Sequence, residues 1–182
     1  WDYESVEKVY DSFELVSKVD DKVDILPTCP RLSVTDATES YHPLTHRFAD
    51  MCEQMQLPVS RNPVMEGHCA GPYFITTRHG TRCSSAVAFL HPATNRSNLT
   101  VMTNITVQRI GFTGRRATDV NCLYQGRELS FNVGREVLLA AGAINSPQLL
   151  QLSGVGPKDV IRDTGLEVVL NQPNVGSHMQ DH

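Results

Sequence analysis

One stretch restricts the fold of this chain more than any other: REVLLAAGAINSPQLLQLSGVGP, residues 135–157. Its run VLLAA, residues 137–141, contains no polar residue, which is typical of a strand buried on both faces between two layers. Ala141 and Ala143 flank Gly142, so a ligand or another chain segment can approach this backbone closely. We therefore expect residues 137–141 to lie in a sheet and the space over Gly142 to be open. A structure that lacks either feature would argue against a site at this turn.

The second half of the same stretch predicts a short helix. Ser146 is a favoured N-cap residue, and Pro147 suits the first helical position, where its missing N–H does no harm. The helix should then run to Leu152 and end at Ser153-Gly154. Together these signals predict a strand, a tight glycine turn, a short helix and a glycine stop.

Before this stretch, strand-like segments alternate with glycine turns. Residues 106–110, 117–124 and 128–133 are separated by turns at Gly114 and Gly126, which predicts a three-stranded antiparallel meander. Residues 99–103 predict a further short strand before it, and residues 166–170 another after it. A short surface helix is expected over residues 158–164.

The first half of the chain predicts two amphipathic helices. One covers residues 6–18, with Tyr10 and Phe13 in the core, and the other runs from His42-Pro43 to Leu57-Pro58. Between them we expect a loop with one short strand, near residues 23–26 or near residues 31–34. Residues 72–77 predict a strand, and residues 82–90 a helix capped by Thr81. The second helix carries one apolar stripe: Leu44, Phe48, Met51, Cys52 and Met55.

Composition excludes some classes of protein. A formal net charge of −4 gives no reason to expect nucleic acid or an anionic membrane as a partner. No apolar run approaches the ~20 residues of a membrane span. The five cysteines are odd in number and contain no CxxC pair, which favours reduced, mostly buried thiols over a zinc site or a disulfide framework. Three N-x-S/T triplets begin at Asn95, Asn98 and Asn104. The free thiols favour the cytoplasm and the triplets leave secretion possible, so localisation stays open.

The motifs resemble one known family. GAINSPQLLQLSGVG, residues 142–156, is similar to the second signature of the glucose–methanol–choline (GMC) oxidoreductases. Residues 174–182, NVGSHMQDH, resemble the family's GVG-x-NLQDH loop, with His178 and Met179 in place of Asn and Leu. RHGTRCSSAVAFLHPA, residues 78–93, and NLTVMTN, residues 98–104, resemble the choline-dehydrogenase-like branch.

The resemblance implies an α/β fold and a flavoprotein function. Residues 98–182 would form part of a doubly wound FAD-binding domain with an inserted three-stranded antiparallel meander. Residues 1–97 would form part of a substrate-side segment that covers the flavin. The family oxidises small alcohols by hydride transfer to FAD. The backbone of Val107 would meet the adenine ring, and Ala141 and Gly142 would lie against the dinucleotide. The resemblance implies no metal ligand.

Two family features are missing from the sequence. There is no GxGxxG turn to hold a pyrophosphate, and none of the seven histidines matches the family's catalytic histidine, which lies beyond the C-terminus of this chain. We therefore interpret the chain as the central portion of a longer protein, with the remainder of the parent chain as its partner, or as a truncated relative. A flavin-containing hydroxynitrile-lyase-like relative and a non-catalytic remnant are the alternatives. The alcohol and the electron acceptor stay open.

These observations predict that the 182-residue chain alone binds FAD weakly, if at all, and shows no turnover. The reason is the missing pyrophosphate cradle, which normally supplies backbone N–H groups at a helix N-terminus. Gel filtration of the purified chain after incubation with FAD measures this. A yellow protein peak that keeps its flavin spectrum would contradict the prediction.

Overall fold

The computed structural model describes residues 2–18, 31–60 and 68–181. It divides into two units, Trp1–Val101 and Met102–His182. Both contain helices and strands, and the second contains a three-stranded antiparallel sheet. The predicted mixed α/β class and the predicted meander are therefore confirmed. The division after residue 97, with its assignment of domains, stays a prediction.

The helices are short. The π-helical segment Ala86–Leu90 continues directly into the α-helix His91–Ala93. A 3₁₀ turn covers Thr38–Ser40. The α-helices are α1 Tyr3–Phe13, α2 Pro43–Gln54, α3 His91–Ala93, α4 Gly142–Leu152 and α5 Lys158–Asp163.

The strands form one sheet of three and three pairs. Strands β1 and β2 are parallel, β3 and β4 antiparallel, β5–β6–β7 an antiparallel meander, and β8 and β9 parallel. Their bounds are β1 Glu14–Lys18, β2 Leu32–Asp36, β3 Thr77–Arg78, β4 Thr81–Arg82, β5 Ile105–Thr113, β6 Arg116–Tyr124, β7 Arg127–Asn132, β8 Val155–Gly156 and β9 Leu170–Asn171.

In the first unit, α1 is shorter than the predicted helix. The Asp2 carboxylate accepts a hydrogen bond from the Ser5 N–H at 2.8 Å and so caps the helix, and this bond lowers the pKa of Asp2. The helix ends at Phe13, and β1 follows at once. The predicted continuation to Lys18 is wrong, because pairing with β2 satisfies the backbone of residues 14–18 instead.

The aromatic residues of α1 are only partly buried. Tyr10 is 50% exposed, which contradicts its predicted place in the core. Phe13 contacts Tyr10 and, edge to face, Phe89. These contacts tie the end of α1 to the π-helical segment.

Strand β2 forms the buried centre of the first unit. It confirms the predicted strand near residues 31–34, while residues 23–26 lie outside the described part of the chain. Thr35 exchanges two backbone hydrogen bonds with Ile75, and its hydroxyl donates to the Thr77 carbonyl at 3.0 Å. The predicted strand over residues 72–77 is thus reduced to a bridge at Ile75 and the start of β3.

The predicted helix at residues 82–90 starts later than expected. His79 and Gly80 both have positive φ and form the turn between β3 and β4, so Thr81 belongs to a strand and does not cap a helix. The Ser84 hydroxyl oxygen accepts from the Val87 N–H at 3.3 Å.

Helix α2 has its predicted start and apolar stripe. Pro43 is its first residue, and the His42 ring accepts from the Leu44 N–H at 3.2 Å. Within the stripe only Cys52 is buried; the other members are at least 58% exposed: Leu44, Phe48, Met51 and Met55.

In the second unit, a β-bulge gives the meander one apolar face. The register shifts between Val107 and Arg109, which places one extra residue, Gln108, in β5. As a result Val107 and Ile110 both point to the same face, opposite Cys122 and Val120 of β6. The predicted strand at residues 99–103 is wrong, since these residues pair with no strand in the described chain.

Ser153 attaches the end of α4 to this sheet. Its hydroxyl accepts from the Ile110 N–H at 2.8 Å and donates to the Leu149 carbonyl at 2.6 Å, and both bonds are buried. Because β5 is an edge strand, its outward N–H would otherwise lack a sheet partner.

The C-terminal elements pack after the glycine stop. The predicted short helix is confirmed as α5, where Ile161 is 1% exposed. The Gly154 carbonyl accepts from the N–H groups of Val169 and Leu170. The predicted strand over residues 166–170 is wrong for most of its length, because the observed strand β9 covers only Leu170–Asn171. Strand β9 pairs with the two-residue strand β8.

We predict that Ser153→Ala lowers the free energy of unfolding by about 1–3 kcal/mol, because it leaves the buried Ile110 N–H without an acceptor. Urea unfolding followed by circular dichroism measures the change. Ser130→Ala, at an exposed position of the same sheet, is the matched control and should stay within about 0.5 kcal/mol of the wild type. Equal effects of the two substitutions would show that the Ser153 bridge contributes nothing.

Candidate cofactor-binding site

The segment before Gly142 is not the buried strand that its sequence predicts. Residues 136–140 belong to no strand or helix, and Leu138 is 83% exposed. The prediction of a sheet at residues 137–141 is wrong because a strand needs a neighbour to pair its backbone. No strand among the described residues takes that position.

Helix α4 begins at the glycine itself, five residues earlier than predicted. Gly142 is its first residue, and Ala141 is the N-cap. The Ser146 hydroxyl oxygen accepts from the Ala141 N–H at 3.0 Å, so Ser146 reaches back to the helix start from its fifth position. Pro147 therefore lies inside the helix, where it cannot donate to the Ala143 carbonyl. The predicted N-cap at Ser146 and first position at Pro147 are wrong.

The space over Gly142 is open, as expected. Its φ is +89°, a conformation that side-chain-bearing residues rarely adopt, and a Cβ atom built there would meet no atom within 4 Å. Ala141, Ala143 and Ile144 are also exposed. A flat group could therefore lie directly against the backbone at this turn.

Val107 lies on the apolar face of the meander, at its rim. It is 41% exposed, whereas its cross-strand neighbour Cys122 is 3% exposed. Burial raises the pKa of the Cys122 thiol. Because β5 is an edge strand, part of its backbone points away from the sheet and is available to a ligand.

The described interactions include none between Val107 and the Ala141-Gly142 pair. The hydrogen bond that links β5 to α4 joins Ile110 to Ser153, which lies at the opposite end of α4 from Gly142. An α-helix of 11 residues is about 16 Å long. The described cavities of the second unit are not lined by Val107, Ala141 or Gly142.

Sequence reasoning missed the role of Gln151. Its side-chain amide donates to the Val175 carbonyl at 3.0 Å, which holds the loop of residues 174–177 against α4. Gly176, with φ of +82°, makes this approach possible, because a Cβ there would lie 2.7 Å from the Gln151 amide nitrogen. The glycine of the NVGSHMQDH motif was the available signal, since it marks a close backbone approach.

The second unit also has a cavity of about 350 Å³ on the polar side of the meander. There the Asp119 carboxylate lies over Gly111 and accepts from the Thr118 hydroxyl and the Asn121 amide, each at 2.8 Å. Val107, Ala141 and Gly142 do not line this cavity. It is therefore separate from the predicted cofactor contacts.

Within the described ranges, no group of three or more His, Cys, Asp or Glu side chains is arranged to hold a metal ion. None of the helices in these ranges has the length and apolar character that crossing a membrane requires.

Comparison with known proteins identifies a family profile that matches the whole chain and relatives that match most of it. A family profile described as GMC oxidoreductase matches residues 1–182. The chain is 44% identical over 112 residues to the oxygen-dependent choline dehydrogenase of Staphylococcus saprophyticus, covering 62% of this chain and 20% of that protein. It is 39% identical over 144 residues to human mitochondrial choline dehydrogenase, covering 78% of this chain and 24% of that protein.

Known structures agree with the fold. The chain is similar to pyridoxine 4-oxidase from Mesorbium loti, with a TM-score of 0.76, 24% identity and coverage of 96% of this chain and 34% of that one. An FAD-dependent oxidoreductase from Chaetomium thermophilum gives a TM-score of 0.81 at 18% identity, covering 96% of this chain and 32% of that one.

These matches confirm the resemblance found in the sequence. The chain spans only about a fifth to a quarter of the curated choline dehydrogenases that it matches. The profile nevertheless covers every residue, so the chain belongs to the GMC oxidoreductase family.

Proposed function

We propose that the protein that contains this chain is an FAD-dependent oxidoreductase that oxidises the CH–OH group of a small alcohol. Membership of the GMC family over all 182 residues is the observation that carries this proposal. Flavin binding is implied by the family. The residues that contact the cofactor, the substrate and the reaction itself are proposals for this protein.

Ala141 and Gly142 would hold one part of the cofactor. The turn fits a flat or anionic group because its side chains are small, its backbone is exposed and the space over Gly142 is open. The first N–H groups of α4 have no helical acceptor, so they can donate to phosphate or ring oxygen atoms. The Ser146 hydroxyl, bonded to the Ala141 N–H, fixes the turn that presents them.

Val107 would hold a second part, the adenine ring, through its backbone. Its position on an edge strand supports this role, since edge strands leave backbone donors and acceptors unpaired. The bulge at Gln108 adds support, because bulges often occur where a strand is reshaped beside a ligand. FAD is an extended dinucleotide, which suits contacts that lie apart from each other along the chain.

FAD, when bound, supplies the acceptor for the hydride that leaves the alcohol carbon. This chain would contribute binding and orientation of the cofactor. Alcohol oxidation also needs a base for the hydroxyl proton. We assign that role to none of the seven histidines, because none stands at the position that the family resemblance predicts.

The activity can be tested on the full-length protein with a panel of alcohols. The panel starts with choline, because the similar proteins from Staphylococcus saprophyticus and human are named choline dehydrogenases. We expect at least one alcohol to bleach the oxidised flavin spectrum under anaerobic conditions and to yield a carbonyl product. Cleavage of a cyanohydrin with no bleaching by any alcohol would instead support the lyase alternative.

The cofactor contact can be tested with Ala141→Leu in the same full-length protein. Ala141 is exposed and has φ of −86°, so leucine should fit the fold. A bulky side chain against the dinucleotide should weaken FAD affinity at least tenfold, or about 1.4 kcal/mol. Fluorescence titration of the apoprotein with FAD measures the affinity.

Ser130→Leu is the matched control for this substitution. It adds leucine at an exposed position of β7, opposite Asn121 on the other face of the meander from Val107. The control should bind FAD like the wild type. Unchanged FAD affinity in Ala141→Leu would remove Ala141 from the proposed site while leaving the alcohol test unaffected.

A further inference from the structure

Asparagines that begin N-x-S/T triplets are concentrated in one short segment. The chain has nine asparagines, and only Asn95, Asn98 and Asn104 begin such a triplet: Asn-Arg-Ser, Asn-Leu-Thr and Asn-Ile-Thr. All three triplets fall within residues 95–106, and none has proline at its middle position. This pattern is the acceptor sequence for N-linked glycosylation.

The structure exposes all three asparagines. In the first unit, Asn95 lies in the turn closed by the Arg96 N–H and the Ala93 carbonyl, and Asn98 in the turn that follows. In the second unit, Asn104 directly precedes β5 and has φ of +58°, a conformation that asparagine tolerates better than most residues. Each side chain is therefore accessible to a modifying enzyme, which a buried asparagine would not be.

We propose that residues 95–106 carry N-linked glycans. In this reaction the Asn side-chain nitrogen attacks the anomeric carbon of a lipid-pyrophosphate-linked oligosaccharide. The new C–N bond replaces the C–O bond to the pyrophosphate, which leaves with its electron pair, and the amide nitrogen gives up one proton. No oxidation or reduction takes place, and the lipid-linked sugar is the only co-reactant.

The spacing of the triplets sets the number of glycans. Asn95 and Asn98 are three residues apart, which limits their separation to about 11 Å even in an extended chain. A glycan on one of them blocks the enzyme from the other. Asn104 is six residues beyond Asn98. We therefore expect two glycans, one on the first pair and one on Asn104.

Three of the five cysteines are buried, which is compatible with the oxidising compartment in which these glycans are added. Cys52, Cys83 and Cys122 are free thiols with exposed fractions of 5%, 1% and 3%. Thiols oxidise or exchange mainly as exposed thiolates. Burial hides all three, and the raised pKa of Cys122 further reduces its thiolate fraction.

The decisive experiment uses the full-length protein isolated from its own source. Peptide N-glycosidase treatment in ¹⁸O-labelled water converts each glycosylated asparagine into labelled aspartate, which mass spectrometry of the peptide containing residues 95–106 detects. We expect label at Asn104 and at either Asn95 or Asn98. Unmodified asparagine at all three positions would overturn the proposal, and this result would not bear on flavin binding.

Paired variants identify the acceptors in a eukaryotic secretory host. Thr106→Ala destroys the Asn104 triplet, whereas Thr106→Ser keeps it at the same strand position. We expect Thr106→Ala to lose one glycosidase-sensitive gel shift and Thr106→Ser to keep it. Equal shifts in the two variants would exclude Asn104 as an acceptor. Asn104→Asp also removes the acceptor amide, leaves β5 unchanged and keeps a residue type that tolerates φ of +58°, so it guards against loss by misfolding.

Discussion

The Ser153 hydroxyl makes the connection on which the second unit depends. It accepts from the outward N–H of Ile110 and donates to the Leu149 carbonyl, so one buried side chain joins an edge strand to the end of a helix. Gly154, directly after it, accepts from two N–H groups of the chain that leads into β9. Since α4 is rigid, fixing its C-terminal end also fixes where Gly142 and its exposed backbone lie relative to the meander.

The apolar run at residues 137–141 shows why hydrophobic content does not by itself make a strand. Backbone N–H and C=O groups need partners, and no strand among the described residues pairs with this run. Leu138 is consequently exposed. The failed strand counts against a ligand site at this turn, although the space over Gly142 remains open. Family membership does not depend on the strand, because the profile matches the whole chain.

Sequence patterns predicted the meander well because its signals are local. Alternating side chains and the glycine turns at Gly114 and Gly126 are read within a few residues. They could not predict the bulge at Gln108, which decides that Val107 faces the same way as Ile110. The residues of the candidate site likewise fall into two groups, those indicated by the sequence and one that only the structure showed. The resemblance proposed Val107, Ala141 and Gly142, whereas Gln151 became visible only when the loop with Gly176 was seen against α4.

By itself, the sequence determined the family, the mixed α/β class, the glycine positions and the three acceptor triplets, because each of these depends on residue type and spacing alone. Only the tertiary structure decided where α1 stops, where α4 starts and whether residues 137–141 pair. Such boundaries depend on competition for backbone hydrogen bonds. The pairing of β1 with β2 ends one helix early, and the bond from Ala141 to Ser146 starts another at Gly142. The strand that pairs with β1 begins 18 residues further along the chain, from Glu14 to Leu32, so no local pattern of side chains shows where α1 stops.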